Sequence, residues 1–276
     1  YRNADMEPND NYKDANEIYL NEIISGNFHS NGDQDFYRIE IPNSGELNLK
    51  AIRPDGGRVR LYLYGANGTD GSTIAYTYDA GTTRQLTTGL AKGTYYIRIT
   101  NASSSVGNYT LEVNYKENEY SIDNANPSNY INAPIIELNS SNHGHIGYTY
   151  DNTAVNTNDY YKIVIDNDGT LDIDITQLDG GTVRLYLYGA NGTDGSTIAY
   201  TYDSGTKRSI SRGLAKGTYY LRVSNATGYG PYKLDLQYKE QTVPNDNADP
   251  NNYINAPIIE LNSSNHGHIG YTYDNT

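Results

Sequence analysis

The chain has 276 residues, a net charge of −13 and no cysteine, so disulfide frameworks and thiolate zinc sites are excluded. The acidic balance also argues against nucleic acid and anionic membranes as partners, because both demand a basic face. Thirty tyrosines against two phenylalanines and no tryptophan leave Ile, Leu, Val and Tyr to build the core, a composition that suits pleated sheet.

Along the chain the hydrophobic period is two rather than 3.6. A first strand is expected over Glu17–Phe28, followed by FYRIEI from Phe36 and ELNLKAI from Glu46, with the turn PNSG at Pro42 between the last two. PDGG at Pro54 then leads into VRLYLYG. There Val59, Leu61 and Leu63 point one way and Arg60, Tyr62 and Tyr64 the other. GANGTDG, TIAYTYD, LAKG, YYIRIT and YTLEVNY complete a first unit of about eight short strands, and no segment shows a helical stripe.

The unit then repeats. VRLYLYGANGTDGSTIAYTYD runs from Val59 and again from Val183, GLAKGTYY from Gly89 and Gly213, and LEVNYKE from Leu111 is answered by LDLQYKE from Leu234. The second unit opens with a strand expected over Ile135–Tyr150. This divides the chain into 1–117, 118–240 and 241–276, the last being a linker and the first strands of an incomplete third repeat. Asn252–Thr276 copies Asn129–Thr153 letter for letter. Strands of that length cannot bury an apolar face alone. Two readings fit: the chain is an excerpt of a longer array, or Ile254, Ile258, Ile259 and Leu261 form a strand that joins another subunit. The expected architecture is all-β: tandem jelly-roll-like antiparallel β-sandwiches of about eight strands each.

Three stretches together resemble a known module: DMEPND at Asp5, GDQDFYRIEI at Gly32, and GTYYIRITNASSSVGNYTLEV from Gly93 with its copy GTYYLRVSNATGYGPYKLDL. The chain is similar to the bacterial pre-peptidase C-terminal domain, related to the collagen-binding domains of clostridial collagenases. The resemblance implies a secreted, non-catalytic bacterial β-sandwich, extracellular or on the cell surface, appended to a peptidase or surface protein. It also implies calcium between the linker and the loop before the second strand. Carried onto this chain, the ligands are Asp5, Glu7, Asn9 and Asp10 from the linker and Asn27, Asp33 and Asp35 from the loop. Calcium takes six to eight oxygens, which such residues supply. The second unit offers only Asn124, Asn126, Asn129, Asn156 and Asp159, so calcium is expected mainly in the first. The collagen-binding relatives carry aromatic and aliphatic side chains on the penultimate strand. Here that strand carries Arg98, Thr100 and Ala102, and in the second unit Arg222, Ser224 and Ala226, which counts against collagen.

No nucleophile elbow, zinc-protease helix or phosphate loop is present, so no enzyme is expected. Asp172 and Asp174 lie on one strand face and read as solvated. The HGH pairs, His143 with His145 and His266 with His268, are polar strand ends before they are metal ligands. Tyr62 and Tyr64, with Tyr186 and Tyr188, are expected on outer faces beside Arg60 and Arg184, where rows of tyrosine make an adhesive surface. The function expected is a non-catalytic structural or adhesive repeat forming a head-to-tail fibre or stalk. Its partners would be further copies or repeats, or an extracellular protein or polysaccharide. The alternative is a module that targets a secreted hydrolase to protein or polysaccharide.

Overall fold

A computed structural model of the chain describes residues 2–120, 125, 129–150, 154–241, 258, 259 and 261. Ten strands form the first repeat: β1 (Arg2–Asn3), β2 (Asn16–Glu17), β3 (Glu22–Phe28), β4 (Gln34–Ile41), β5 (Gly45–Ile52), β6 (Val59–Tyr64), β7 (Thr73–Tyr76), β8 (Thr83–Leu90), β9 (Gly93–Asn101) and β10 (Gly107–Glu117). Ten more follow: β11 (Ser141–Ile146), β12 (Thr149–Tyr150), β13 (Ala154–Val155), β14 (Asn158–Ile165), β15 (Gly169–Gln177), β16 (Thr182–Tyr188), β17 (Thr197–Tyr200), β18 (Lys207–Leu214), β19 (Gly217–Thr227) and β20 (Gly230–Glu240). The chain divides into two compact units. The first holds β1–β10 with β12 and β13, and the second holds chiefly β11 and β14–β20. Among the described residues no helix is long and apolar enough to cross a membrane.

In the first unit one sheet runs β1-β3-β10-β5-β8, continued by β12 and β13, and the other runs β2-β4-β9-β6-β7. In the second unit the sheets run β11-β20-β15-β18 and β14-β19-β16-β17. The alternation of apolar and polar residues explains the layering. Along β5 every second residue is buried, beginning with Gly45 and ending with Ala51, and β9 does the same through Tyr95, Ile97 and Ile99. Ile39, Leu47, Leu49, Leu61, Leu63, Ile97, Leu111 and Val113 are fully buried between the first unit's sheets. Each such side chain contributes about 1.5–3 kcal/mol on leaving water.

The expected first strand over Glu17–Phe28 is two strands in opposite sheets. β2 pairs parallel with β4, and β3 pairs antiparallel with β10. Asn21 makes the break. Its φ is +62°, a left-handed value that Asn tolerates, and its side-chain oxygen accepts a hydrogen bond from the Tyr115 N–H at 2.8 Å. Asn139 does the same in the second unit, with φ +55° and a bond from the Tyr238 N–H at 2.7 Å. There the expected span Ile135–Tyr150 holds the strand Ser141–Ile146 and the short Thr149–Tyr150, preceded by an isolated parallel bridge from Ile135 to Lys162.

Arg53, at the end of β5, is fully buried and ties β5 to the loop between β9 and β10. Its guanidinium donates to both carboxylate oxygens of Asp55 at 3.0 and 2.6 Å, to Asn101 Oδ1 at 2.9 Å and to the Val106 carbonyl at 3.3 Å. The Asp55 carboxyl is held below the usual carboxylate range, first by its bond from Arg53 and then by the Gly57 N–H. Gln177, the last residue of β15, stands in the second unit where Arg53, just after β5, stands in the first, and it is buried with neither polar atom of its amide hydrogen-bonded. Arg53→Ala is therefore expected to lower stability by about 3 kcal/mol, because it empties the space of a fully buried side chain and takes a donor from the buried Asn101 Oδ1. Gln177→Ala should cost far less, and urea unfolding of the two variants measures the difference.

Candidate functional site

Five of the seven carried-over ligands converge where the N-terminal linker meets the start of β4. One carboxylate oxygen each of Asp5, Glu7 and Asp35 lie within 4.8 Å of one another, and so do ligand atoms of Glu7, His29 and Asp33. β1 pairs with β3 and brings Asp5 to the Asn27 N–H, which donates to Asp5 Oδ2 at 2.7 Å. The Asn9 amide donates to Asp5 Oδ1 at 2.9 Å, and the Asn9 carbonyl accepts from the Phe36 N–H at 3.0 Å. Asp33 Oδ1 accepts from the Gln34 N–H at 3.0 Å.

Two residues stand apart from the cluster. The Asn27 side chain turns to Asn108 Oδ1 at 2.7 Å, so only its backbone serves the cluster. Asp10 is exposed and contributes only its carbonyl, which accepts from Gln34 Nε2 at 3.0 Å. One residue joins that sequence reading missed: His29 Nδ1 lies 3.1 Å from Glu7 Oε1.

Asp35 is the buried centre. Its Oδ2 accepts from the Tyr109 hydroxyl at 2.6 Å, and Tyr109 in turn lies 2.6 Å from the Tyr37 hydroxyl, all three fully buried. Gly26 makes room for them, since a Cβ there would fall 2.3 Å from the Tyr109 ring. Burial pushes the Asp35 carboxyl up to about 8, against the Tyr109 hydrogen bond, and the carboxylates of Asp5, Asp33 and Glu7 add to the rise. Burial likewise raises both tyrosine hydroxyls.

Two buried atoms of the cluster lack a hydrogen-bond partner, Asp35 Oδ1 and Asn9 Oδ1. Four carboxylates crowd beside them with one imidazole. A hard cation satisfies both facts, because it binds oxygens left unpaired and offsets the mutual repulsion. The residues present therefore fit calcium.

The second unit keeps the buried centre. Asp159 is buried, its Oδ2 accepts from the Tyr232 hydroxyl at 2.8 Å, and Tyr161 lies 2.7 Å from Tyr232. Gly144, the middle of HGH, makes room for Tyr232 as Gly26 does for Tyr109. Ala125 stands five residues before Tyr130, as Glu7 stands five before Tyr12, and Thr157 stands two before Asp159, as Asp33 does before Asp35. Asn124 and Asn126 lie outside the described residues, Asn129 Oδ1 accepts from the Asn132 N–H at 3.3 Å, and Asn156 is buried. Among the described residues no group of metal-ligating side chains forms around Asp159.

A second feature lies on the outer face of the β4-β9-β6-β7 sheet. Cross-strand register places Phe36, Arg98, Tyr62 and Tyr76 in one row. The Arg98 guanidinium sits 4.0 Å from the Tyr62 ring centroid and 5.3 Å from that of Tyr64. Tyr62 is 6.0 Å from Tyr76 with planes 13° apart, and Tyr76 is 6.4 Å from Tyr78 at 28°. The second unit repeats this with Arg222 4.1 Å from Tyr186 and with Tyr186, Tyr200 and Tyr202 stacked in turn. The expected outward set is only partly exposed. Tyr62 and Tyr186 are half-buried, while Tyr64 and Tyr188 are buried, beside a register shift at Leu63/Tyr64 and at Leu187/Tyr188. The tyrosines that reach solvent are Tyr76 and Tyr78, 54% and 88% exposed, and Tyr200 and Tyr202, 53% and 84%. The TIAYTYD alternation carried that signal.

Each linker is also clamped to its own unit. The Tyr12 ring covers Gly68, packs edge-on against Tyr96, and its hydroxyl donates to Asp70 Oδ2 at 2.5 Å. Tyr130 repeats these contacts on Gly192, Tyr220 and Asp194, with the hydroxyl bond at 2.6 Å. Gly68 and Gly192 have φ of +53° and +52°, so both the turn and the ring above require glycine. Of the candidate inter-subunit residues, Ile254 lies outside the described residues. Ile258, Ile259 and Leu261 belong to no strand and are 95%, 67% and 94% exposed.

Fold and site together define a tandem β-sandwich protein with a cluster of carboxylates at its first linker. The profile of the bacterial pre-peptidase C-terminal domain matches residues 33–101 and 157–225, half of the chain. The chain belongs to that family. Collagenase ColT of Clostridium tetani is 27% identical over 110 residues, which is 40% of this chain and 11% of the collagenase. The chain thus spans about a tenth of that relative. The pre-peptidase C-terminal domain of a Bacillus anthracis collagenase is 23% identical, with a TM-score of 0.32, over 36% of this chain and 93% of that domain. A tandem CBM22 domain of Paenibacillus barcinonensis Xyn10C is 9% identical, with a TM-score of 0.22, over 75% of this chain and 82% of its own.

Burial sets a pH dependence. Without a cation the fold favours neutral Asp35, whose value of about 8 lies above the roughly 3.9 of an unfolded aspartate. The stabilisation from this group is complete below about pH 4 and is lost as pH rises towards 8. In chelator, the first unit is expected to lose on the order of a few kcal/mol more than an Asp35→Asn variant between pH 4.5 and 8. Urea unfolding at the two pH values measures it, and equal losses would contradict the assignment.

Proposed function

We propose that the chain is a non-catalytic, extracellular bacterial attachment module that holds an extracellular polymer through its tyrosine rows. The observation that carries this reading is the duplicated row of exposed tyrosines backed by Arg98 and Arg222. Tyrosine presents a large apolar surface at small entropic cost together with one polar tip, and such side chains dominate binding surfaces. Kinship with domains of collagenases supports a place outside the cell, attached to a larger protein. The 276-residue chain should adsorb to at least one insoluble extracellular polymer, fibrous protein or polysaccharide, in a sedimentation assay. Full recovery in the supernatant from every such material would contradict the reading.

A second reading, a head-to-tail stalk of repeats, is favoured by the linker clamps, since each unit fixes the segment that precedes it. Negative-stain electron microscopy should then show rods or filaments, whereas separate compact particles would exclude it.

In both readings calcium binds the first linker through Asp5, Glu7, Asn9, Asp33 and Asp35, and among the described residues no group of metal-ligating side chains offers a second site at Asp159. The support is the pair of unpartnered oxygens on Asp35 and Asn9. A ligand that binds only the folded state adds about 2.7 kcal/mol at a hundredfold excess over its Kd. Calcium should therefore raise the melting temperature of the first unit by several degrees over the chelated protein. Glu7→Gln should remove most of that rise, and identical melting curves with calcium and with chelator would end the proposal.

A further inference from the structure

A cleft of about 440 Å³ opens beside the exposed end of the tyrosine row, between the end of β7 and β8. Tyr76 and Tyr78 form one wall, and Asp79, Arg84, Gln85 and Thr87 contribute the polar lining. We propose that this cleft binds a neutral polysaccharide. The inference rests on the attachment reading and names its ligand class.

Charge narrows the ligand first. The Arg84 guanidinium is already engaged by Asp79, with Nη2 2.9 Å from Asp79 Oδ2 and Nε 2.9 Å from the Asp79 carbonyl. The pair neutralises itself and leaves no spare cation for an anionic polymer. The chain as a whole carries −13, which repels polyanions at longer range.

Hydrogen-bonding capacity narrows it further. The Asp79 side chain is 76% exposed and accepts. Gln85 is exposed, its side chain makes no hydrogen bond among the described residues, and its amide both donates and accepts. The Thr87 hydroxyl already accepts from Asn48 Nδ2 at 2.8 Å and keeps a proton to donate. Adjacent hydroxyl groups on a ligand match such mixed partners, because each of them also donates and accepts. The Tyr76 and Tyr78 rings supply apolar surface for the C–H faces of the same sugar rings, in the usual division of a ligand site into apolar walls and a few placed polar groups.

The second unit carries part of this arrangement. Tyr200 and Tyr202 stack at 5.9 Å and are equally exposed, and Arg208 Nε donates to the Asp203 carbonyl at 2.8 Å. Ser209 stands in place of Gln85, and its hydroxyl is turned to Asp174. The aromatic wall is kept and the free amide is lost, so Tyr78→Ala should weaken binding more than Tyr202→Ala.

Affinity electrophoresis of the full chain tests this, with hydroxyethylcellulose, galactomannan and xyloglucan as neutral probes, alginate as the acidic probe and gelatin as the protein probe. At least one neutral polymer should retard the protein. The double variant Tyr78→Ala/Tyr202→Ala should bind about tenfold more weakly, while Tyr19→Ala, an exposed tyrosine outside the cleft, should not change. Both replaced rings are more than four-fifths exposed, so loss of binding cannot come from unfolding. Retardation by alginate or gelatin alone would overturn the neutral-sugar assignment and leave the attachment reading standing. Retardation by a neutral polymer that ignores the double variant would also overturn it. No retardation by any of the five would overturn the neutral-sugar assignment, while the attachment reading stands or falls by sedimentation with insoluble polymers.

Discussion

A carboxylate buried between two sheets must either keep its proton or find a cation, and the first unit is organised around that choice. Asp35 sits fully buried at the start of β4, with one oxygen on Tyr109 and the other unpartnered. Around it the linker delivers Asp5, Glu7 and Asn9, and the β3–β4 loop delivers His29 and Asp33. Such a set is self-repelling unless a positive charge sits among it. The same ion that relieves the repulsion would bind the linker to the sandwich, so metal binding and linker order become one equilibrium.

The second unit shows which parts are structural and which are functional. Asp159, Tyr232, Tyr161 and Gly144 reproduce the buried centre, so the hydroxyl–carboxylate chain belongs to the fold. Ala125 and Thr157 stand where Glu7 and Asp33 stand in the first unit, so two carboxylates of the first unit's cluster have no counterpart there. The tyrosine rows follow the opposite rule. They lie within a 21-residue segment that the two units share without a change, and both copies keep an arginine stacked beneath. A cation held over a ring face by burial and stacking stiffens the row without closing its solvent end.

Much of the fold was legible in the sequence because its signals are local. Alternation marks β5, β6 and β9 residue by residue, and Pro, Asn and Gly clusters mark the turns between them. The break at Asn21 was not legible, because a left-handed Asn inside an apolar run has no distinct pattern; the structure shows it through its bond to Tyr115. In the cluster, the resemblance supplied Asp5, Glu7, Asn9, Asp33 and Asp35. It did not supply His29, nor could spacing tell that Asn27 and Asp10 turn away. The Asp35–Tyr109 bond joins residues 74 positions apart, and only the folded register brings them together. Burial of Tyr64 likewise accompanies a register shift that simple alternation does not contain.

The central claim is that one buried carboxylate in the first unit, and not its counterpart in the second, organises a cation site. Calorimetric titration of the 276-residue chain with calcium at pH 7 measures this directly, repeated in two buffers of different ionisation enthalpy. One ion per chain is expected, with protons released as Asp35 ionises, and neither signal in Asp35→Asn. Two equivalent ions per chain, or binding without proton release that survives Asp35→Asn, would contradict the account.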